Sequence, residues 1–173
     1  MIKIDTTSYK IGIMSDTHDR LSVIDRAVKR LIEEKAELVL HAGDYVAPFV
    51  ADHFKPLEAQ FIGVFGNNDG DKQFLKRKFE EIGAQIRGMF AEVNADGLKI
   101  ALLHGEEEDL LNSLIATECY DVVVHGHTHD AKAYRKGETL VINPGEACGY
   151  LTGKPTIAVL DTKTLDVKTI LLE

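Results

Sequence analysis

The sequence predicts an α/β chain (α+β in some schemes): a mixed two-sheet β-sandwich flanked by helices, four layers in the order αββα. Three observations predict it. In the first half, short apolar runs alternate with stretches whose apolar residues recur every three or four positions, the pattern of β–α–β crossovers. In the second half, apolar runs come in pairs around turn residues, the pattern of hairpins. Five of the runs also end in short segments rich in Asp, Asn and His.

Residues 11–14 read as the first strand. A helix follows, with Ser22 as its cap, Asp25 three residues on, and Ile24, Val28, Leu31 and Ile32 as its apolar face. Residues 38–40 form the second strand, 46–54 a short helix and 61–65 the third strand. The next helix spans 71–82, with Phe74, Leu75, Phe79 and Ile82 inward and Gly83 as its stop. Residues 90–94 and 98–103 flank Asp96-Gly97, a hairpin signal. Residues 110–117 are helical, with the acidic run 106–109 at the positive end of the helix. Strands follow at 122–124, at 132–135 with 139–142, and at 156–160 with 167–171. Antiparallel pairing is expected throughout this second half.

The 173 residues suit one domain, 1–173, without linker, repeat or low-complexity segment. Hydrophobic residues make up 45% and charged residues 28%, so disorder and coiled coil are excluded. No apolar run approaches the roughly 20 residues of a membrane span, and residues 1–10 lack a signal peptide's apolar stretch. Cys119 and Cys148, both expected to be buried, are too few for a disulfide framework. A cytoplasmic protein with no membrane partner is expected. The net charge of 20 − 28 = −8 gives no general help in binding nucleic acid. An anionic substrate would need a local reversal of sign, which a metal centre supplies.

The five strand ends carry Asp16 and His18; Asp44; Asn67, Asn68 and Asp69; His104; and His127 and His129. Ligands of open α/β sheets sit beyond the carboxyl ends of strands, so these segments are expected to converge. Imidazole, carboxylate and amide donors without thiolate suit Mn, Fe, Co, Ni or Zn. Asp16/His18 and His127/His129 have the two-residue spacing that aligns side chains on an extended segment. Seven candidate ligands exceed the needs of one ion and suit two that share a carboxylate. Other polar residues receive plainer roles. His41 and His125 are expected to pack or to support ligands, and His53 to lie on the surface. Asp69 either orients a neighbour or makes a turn. Lys72, Lys76, Arg77 and Lys78 form a solvated helix face with pairs Lys76–Glu80 and Arg77–Glu81.

Together, Asp16-Thr17-His18, Gly43-Asp44, Gly66-Asn67-Asn68-Asp69, His104 and Gly126-His127-Thr128-His129 resemble the motif blocks of the calcineurin-like metallophosphoesterase superfamily. The resemblance covers about residues 11–161, includes Asn143-Pro144-Gly145, and points to the small archaeal and bacterial phosphodiesterase branch. It implies a metallo-dependent phosphatase-like fold. It also implies one metal held by Asp16, His18, Asp44 and His129, and another by Asp44, Asn67, His104 and His127. The catalytic residues it implies are Asp44, Asn68 and His104. Two departures stand out: Ala47 replaces an Asp that the family often has, and Asn68 replaces a common His.

Two divalent ions (+4) with Asp16 and Asp44 (−2) leave a local charge near +2 in an acidic protein. Such a centre acidifies a bridging water and clamps phosphate oxygens between ions about 3.5–4 Å apart. The expectation is hydrolysis of a small phosphodiester by a metal-bridging hydroxide, with Mn as first choice of metal and Ni, Co, Fe or Zn as alternatives. Asn68 has no titratable proton, which favours leaving groups that depart unaided. The alternatives are phosphomonoester or nucleotide hydrolysis, and a metal-bound interaction scaffold of the kind the fold forms in a retromer subunit. No base-stacking aromatic platform or basic groove is evident. A homodimer is left open.

Overall fold

The structure, a computed structural model, describes residues 8–173; the N-terminal part of the signal-peptide reading lies outside the described residues. The strands are β1 (Lys10–Met14), β2 (Leu38–His41), β3 (Gln60–Gly63), β4 (Gln85–Ile86), β5 (Phe90–Ala95), β6 (Leu98–Leu103), β7 (Val122–Val124), β8 (Lys132–Lys136), β9 (Thr139–Asn143), β10 (Thr156–Asp161) and β11 (Val167–Leu171). The helices are α1 (Leu21–Glu33), α2 (Lys72–Glu81) and α3 (Glu108–Ala116), with a 3-10 helix at Pro48–Phe54.

Six strands form one sheet in the order β11-β10-β1-β2-β3-β4, and five form another in the order β5-β6-β7-β9-β8. Side-chain alternation assigns the layers. Ile11 and Ile13 of β1 and Leu38 and Leu40 of β2 meet Ile100, Leu102, Val122 and Val124 between the sheets. The opposite face of the first sheet packs Met14, Val39 and Phe61 against Ile24, Val28 and Leu31 of α1 and Leu75 and Phe79 of α2. Leu111 and Ile115 of α3 cover Leu103, Val123 and Val141 on the second sheet. Two mixed sheets flanked by helices result.

Several local expectations are corrected. Ser22 lies inside α1; the flanking position is Arg20, whose side chain makes no cap bond. Ile32 and Phe74 are 46% and 40% exposed rather than inward, because each lies at the margin of its helix's apolar stripe. Asp71 does cap α2, its carboxylate accepting the Phe74 N–H at 2.9 Å. The ion pair on that helix is Lys78–Glu81, and Arg77 lies over the Phe74 ring instead. Cys119 is exposed, while Cys148 is buried. The second half is not purely antiparallel: β6, β7 and β9 run parallel, and α3 is a crossover between β6 and β7. Each hairpin turn reveals one partner of a strand but says nothing of its neighbour on the other side.

Parallel pairing matters for position. It sends β1, β2 and β3 in one direction within their sheet, and β6 and β7 in one direction within theirs. All five polar segments follow these strands.

Candidate metal centre

The loops after the strands are tied to one another by backbone hydrogen bonds. Asp16 N–H donates to Gly43 C=O at 3.0 Å, and the Thr17 and His18 amides donate to Asp44 C=O at 3.0 and 3.1 Å. Gly126 N–H donates to His104 C=O at 2.9 Å, and Cys148 N–H to Asp16 C=O at 3.0 Å. The ligand-bearing backbone is not extended. Asp16, His18, Asp44, His127 and His129 have φ of 54, 41, 62, 66 and 61°, in the left-handed region. Such residues are costly without glycine and cluster at functional sites. The expected two-residue alignment is therefore achieved by tight left-handed turns rather than by a strand.

The side chains converge. Asp16 Oδ1 lies 3.6 Å from His18 Nε2 and 3.3 Å from His129 Nε2. Asp44 Oδ2 lies 3.5 Å from His18 Nε2 and 3.4 Å from His104 Nε2. Candidate donor atoms of Asp16, His18 and His129 fall within 4.8 Å of one another, as do those of Asp16, Asp44 and His104. His127 and Asn67 meet at 3.2 Å between Nδ1 and Oδ1, and the His127 ring stands 5.1 Å from that of His104. The His127 backbone N–H donates to Asp16 Oδ2 at 3.1 Å. Asn68 turns towards Asp44: its amide nitrogen donates to Oδ2 at 2.7 Å and its backbone N–H to Oδ1 at 2.9 Å.

Asp16 Oδ1, His18 Nε2 and His104 Nε2 are buried and lack a hydrogen-bond partner among the described residues. A buried polar atom left unpaired costs about 1–3 kcal/mol. Three such atoms aimed at one another, all good donors to a borderline divalent cation, fit a metal ion. A cavity of about 370 Å³ opens beside His129 towards Thr152 and Lys154.

Further residues hold the donors in place. His104 Nδ1–H donates to Ala42 C=O at 2.8 Å, which leaves its Nε2 lone pair facing the cluster. His129 Nδ1–H donates to Glu146 Oε2 at 2.6 Å, with the same effect. Glu146 is fully buried and also accepts the Leu151 and Thr152 amides and the Thr152 hydroxyl. Sequence reasoning missed it; its position directly after Asn143-Pro144-Gly145 was the available signal. Asp69 orients its neighbours, accepting the amides of Asp44, Val46 and Gly66. His41 does both of the things expected of it: it stacks on Tyr45 with ring centres 3.8 Å apart, and its Nδ1 accepts the Gly43 N–H at 3.1 Å, next to Asp44. The buried His125 faces the adjoining Gly126 carbonyl at 3.1 Å. His53 is half-buried and pairs with Asp25.

The electrostatics favour positive charge. Burial pushes the Asp16 carboxyl up, but His129 and His18 outweigh it and hold it well below the usual range. Burial raises Asp44 as well, yet His104 and Asn68 bring it down to about 2. Asp16, assisted by Glu146 against burial, raises His129 to about 9. Burial lowers His104, but Asp44 and Asp16 leave it above its ordinary value. Both carboxylates are thus held ionised.

Comparison with known proteins places this arrangement in a class. Residues 9–165 match the calcineurin-like phosphoesterase superfamily domain, and the chain belongs to that superfamily. It is a metallophosphoesterase, a hydrolase of phosphoric esters. A curated relative, phosphodiesterase MJ0936 of Methanocaldococcus jannaschii, is 45% identical over 165 residues, covering 95% of this chain and 99% of that protein. The solved structure of an archaeal phosphodiesterase superposes with a TM-score of 0.91 at 44% identity, covering 94% of this chain and 99% of the other. Vps29 of Entamoeba histolytica, solved with zinc, shares the fold at a TM-score of 0.66 and 17% identity, covering 95% and 99%.

Proposed function

We propose that this protein hydrolyses small phosphodiesters at a pair of divalent cations. One would be held by Asp16, His18, Asp44 and His129, the other by Asp44, Asn67, His104 and His127, with Asp44 shared. The observation that carries this reading is the set of buried, unpaired donor atoms of Asp16, His18 and His104 around Asp44. When bound, the cations would supply Lewis-acid charge to phosphate oxygens and acidify water. The 45% identity to a phosphodiesterase supports the choice of ester.

The chain's own groups have separate tasks. Asp44 would be the shared residue, its Oδ2 lying 3.5 Å from His18 Nε2 and 3.4 Å from His104 Nε2. Asn68 fixes the orientation of that carboxylate through both of its nitrogens. His104 and His129 are locked with Nε2 inward by Ala42 and Glu146. Asn68 has no proton to release to a departing alkoxide, so aryl or otherwise activated esters should turn over best.

The test is an add-back assay. Chelator-stripped protein receives Mn, Ni, Co, Zn or Mg singly, and is offered an aryl phosphodiester, the matching aryl monoester and a dialkyl phosphodiester. The expected order is aryl diester first and dialkyl ester last, with Mn the most effective ion. A monoester preference would overturn the substrate class, and no turnover with any ion would overturn the reaction.

A further inference from the structure

The turn beyond Glu146 presents an aromatic ring for which the centre described above has no use. Tyr150 is 60% exposed, on a turn at residues 150–152. Its chain neighbours are tied to the fold. Glu146 accepts the amides of Leu151 and Thr152, the two residues after Tyr150. Gly149, just before it, has φ +63°, and a Cβ there would meet Pro155 Cδ at 2.9 Å. The Arg20 guanidinium lies over the Tyr150 ring, 5.4 Å from its centroid. The same guanidinium donates to Cys148 C=O. No other ring or cation contact of Tyr150 occurs among the described residues.

The turn is anchored to the candidate centre on two sides. Cys148 N–H donates to Asp16 C=O at 3.0 Å, and Ala147 N–H to Ser15 C=O at 2.9 Å. Glu146 reaches His129 at 2.6 Å. Arg20 follows His18 by two positions. Ring and guanidinium therefore come from the two segments that border the Asp16–His18–His129 group. An exposed tyrosine on a mobile loop loses much of its contact energy to ordering; one already held by a cation on one side has little left to lose.

We propose that Tyr150 is a specificity residue: it stacks on a planar aromatic group of the substrate, a nucleobase or an aryl ring, while the phosphoryl group occupies the metal centre. This rests on the reading of that centre as a phosphoester site. The exposed ring on its preordered turn selects among esters and leaves the phosphoryl chemistry alone. A single tyrosine between glycine and leucine carries no stacking signature in sequence; the Arg20 contact and the anchored turn supply it.

The test uses binding, which does not require turnover. Affinities for the Mn-loaded protein are measured by calorimetry for two ligand pairs: phenyl phosphate against methyl phosphate, and adenosine 5′-monophosphate against ribose 5-phosphate. The unchanged chain should prefer the aromatic member. Tyr150→Ala should weaken the aromatic member by about tenfold, within the range for loss of one base-stacking side chain, and leave the non-aromatic member within twofold. Tyr150→Phe should keep the preference. A loss confined to phenyl phosphate identifies an aryl substrate, and a loss confined to the adenosine ligand a nucleoside. Equal losses for both members of each pair, or no loss in either, would overturn the inference. Aromatic selectivity that depends on Tyr150 in a protein without turnover would uphold it while removing the hydrolytic reading. Binding of none of the four ligands would remove the phosphoester site, and this inference with it.

Discussion

At the scale of single residues, two buried groups govern the centre without facing it. Glu146 holds His129 through Nδ1, and loss of such an outer partner typically costs 10–100-fold in metal affinity or activity. Glu146→Gln should therefore lower affinity for the cation by about that factor, read by competition with a fluorescent chelator. His41 acts through folding. Burial pushes its imidazole down to about 3. The unfolded chain takes up that proton near pH 6.5 and the folded chain does not, so the contribution is present above 6.5 and lost as pH falls towards 3. The slope is about 1.4 kcal/mol per pH unit for one proton. Denaturant unfolding from pH 7 to 4.5 should show stability falling, and His41→Gln should be less stable at pH 7 yet flatter across that range. Equal slopes in the two proteins would remove His41 as the cause.

At the scale of elements, the strand-end loops leave almost no room. A Cβ on Gly66 would lie 2.2 Å from Asp44 Oδ1 and 2.7 Å from Asp44 N; one on Gly126 would lie 2.0 Å from Ser15 Oγ. Gly97, in the β5–β6 turn, has φ +82° but nothing within 4 Å. Gly66→Ala should therefore displace Asp44 and lose bound metal. Gly97→Ala should cost only about 1 kcal/mol of left-handed strain and keep its metal. Elemental analysis with thermal melts separates the two cases. The elements also show what a sequence makes legible. Strand cores such as Val122–Val124 and the Asp96-Gly97 turn were readable because period and turn chemistry are local. So was the convergence of the candidate ligands, whose types are distinctive at the ends of apolar runs. β4 has two residues, too few to show a period. The parallel β7–β9 pairing joins segments that no turn connects. The left-handed turns at Asp16 and His127 were hidden because their residue types also suit ordinary loops. Glu146 was hidden because its partners are distant backbone amides and a histidine.

At the scale of the whole molecule, the candidate ligands are divided between the sheets. Asp16, Asp44 and Asn67 follow strands of the six-stranded sheet, while His104, His127 and His129 follow strands of the five-stranded one. A cation held between them would brace the two sheets at one edge and offset the strain of the left-handed ligand residues. At a free concentration a thousandfold above its Kd, such an ion adds about 4 kcal/mol to stability. For a chain of this size, stripping it should lower Tm by about 10 °C, and one added cation should restore it. A Tm unmoved by chelation would show that no ion contributes to the fold.

The neighbours of β1 have a consequence for biosynthesis. On one side β1 pairs with β2, close behind it in the chain; on the other, Ile11 pairs with Leu160 of β10, 149 positions later. Chains emerge from the ribosome at about 5–20 residues per second. Asp16, His18, Asp44 and Asn67 therefore leave the ribosome with β1 still open along one edge, before His104, His127 and His129, which follow β6 and β7, exist. An ion captured then would lack His129 at one proposed position, and His104 and His127 at the other. Were the centre loaded as proposed, its full set of donors would exist only once synthesis had passed His129.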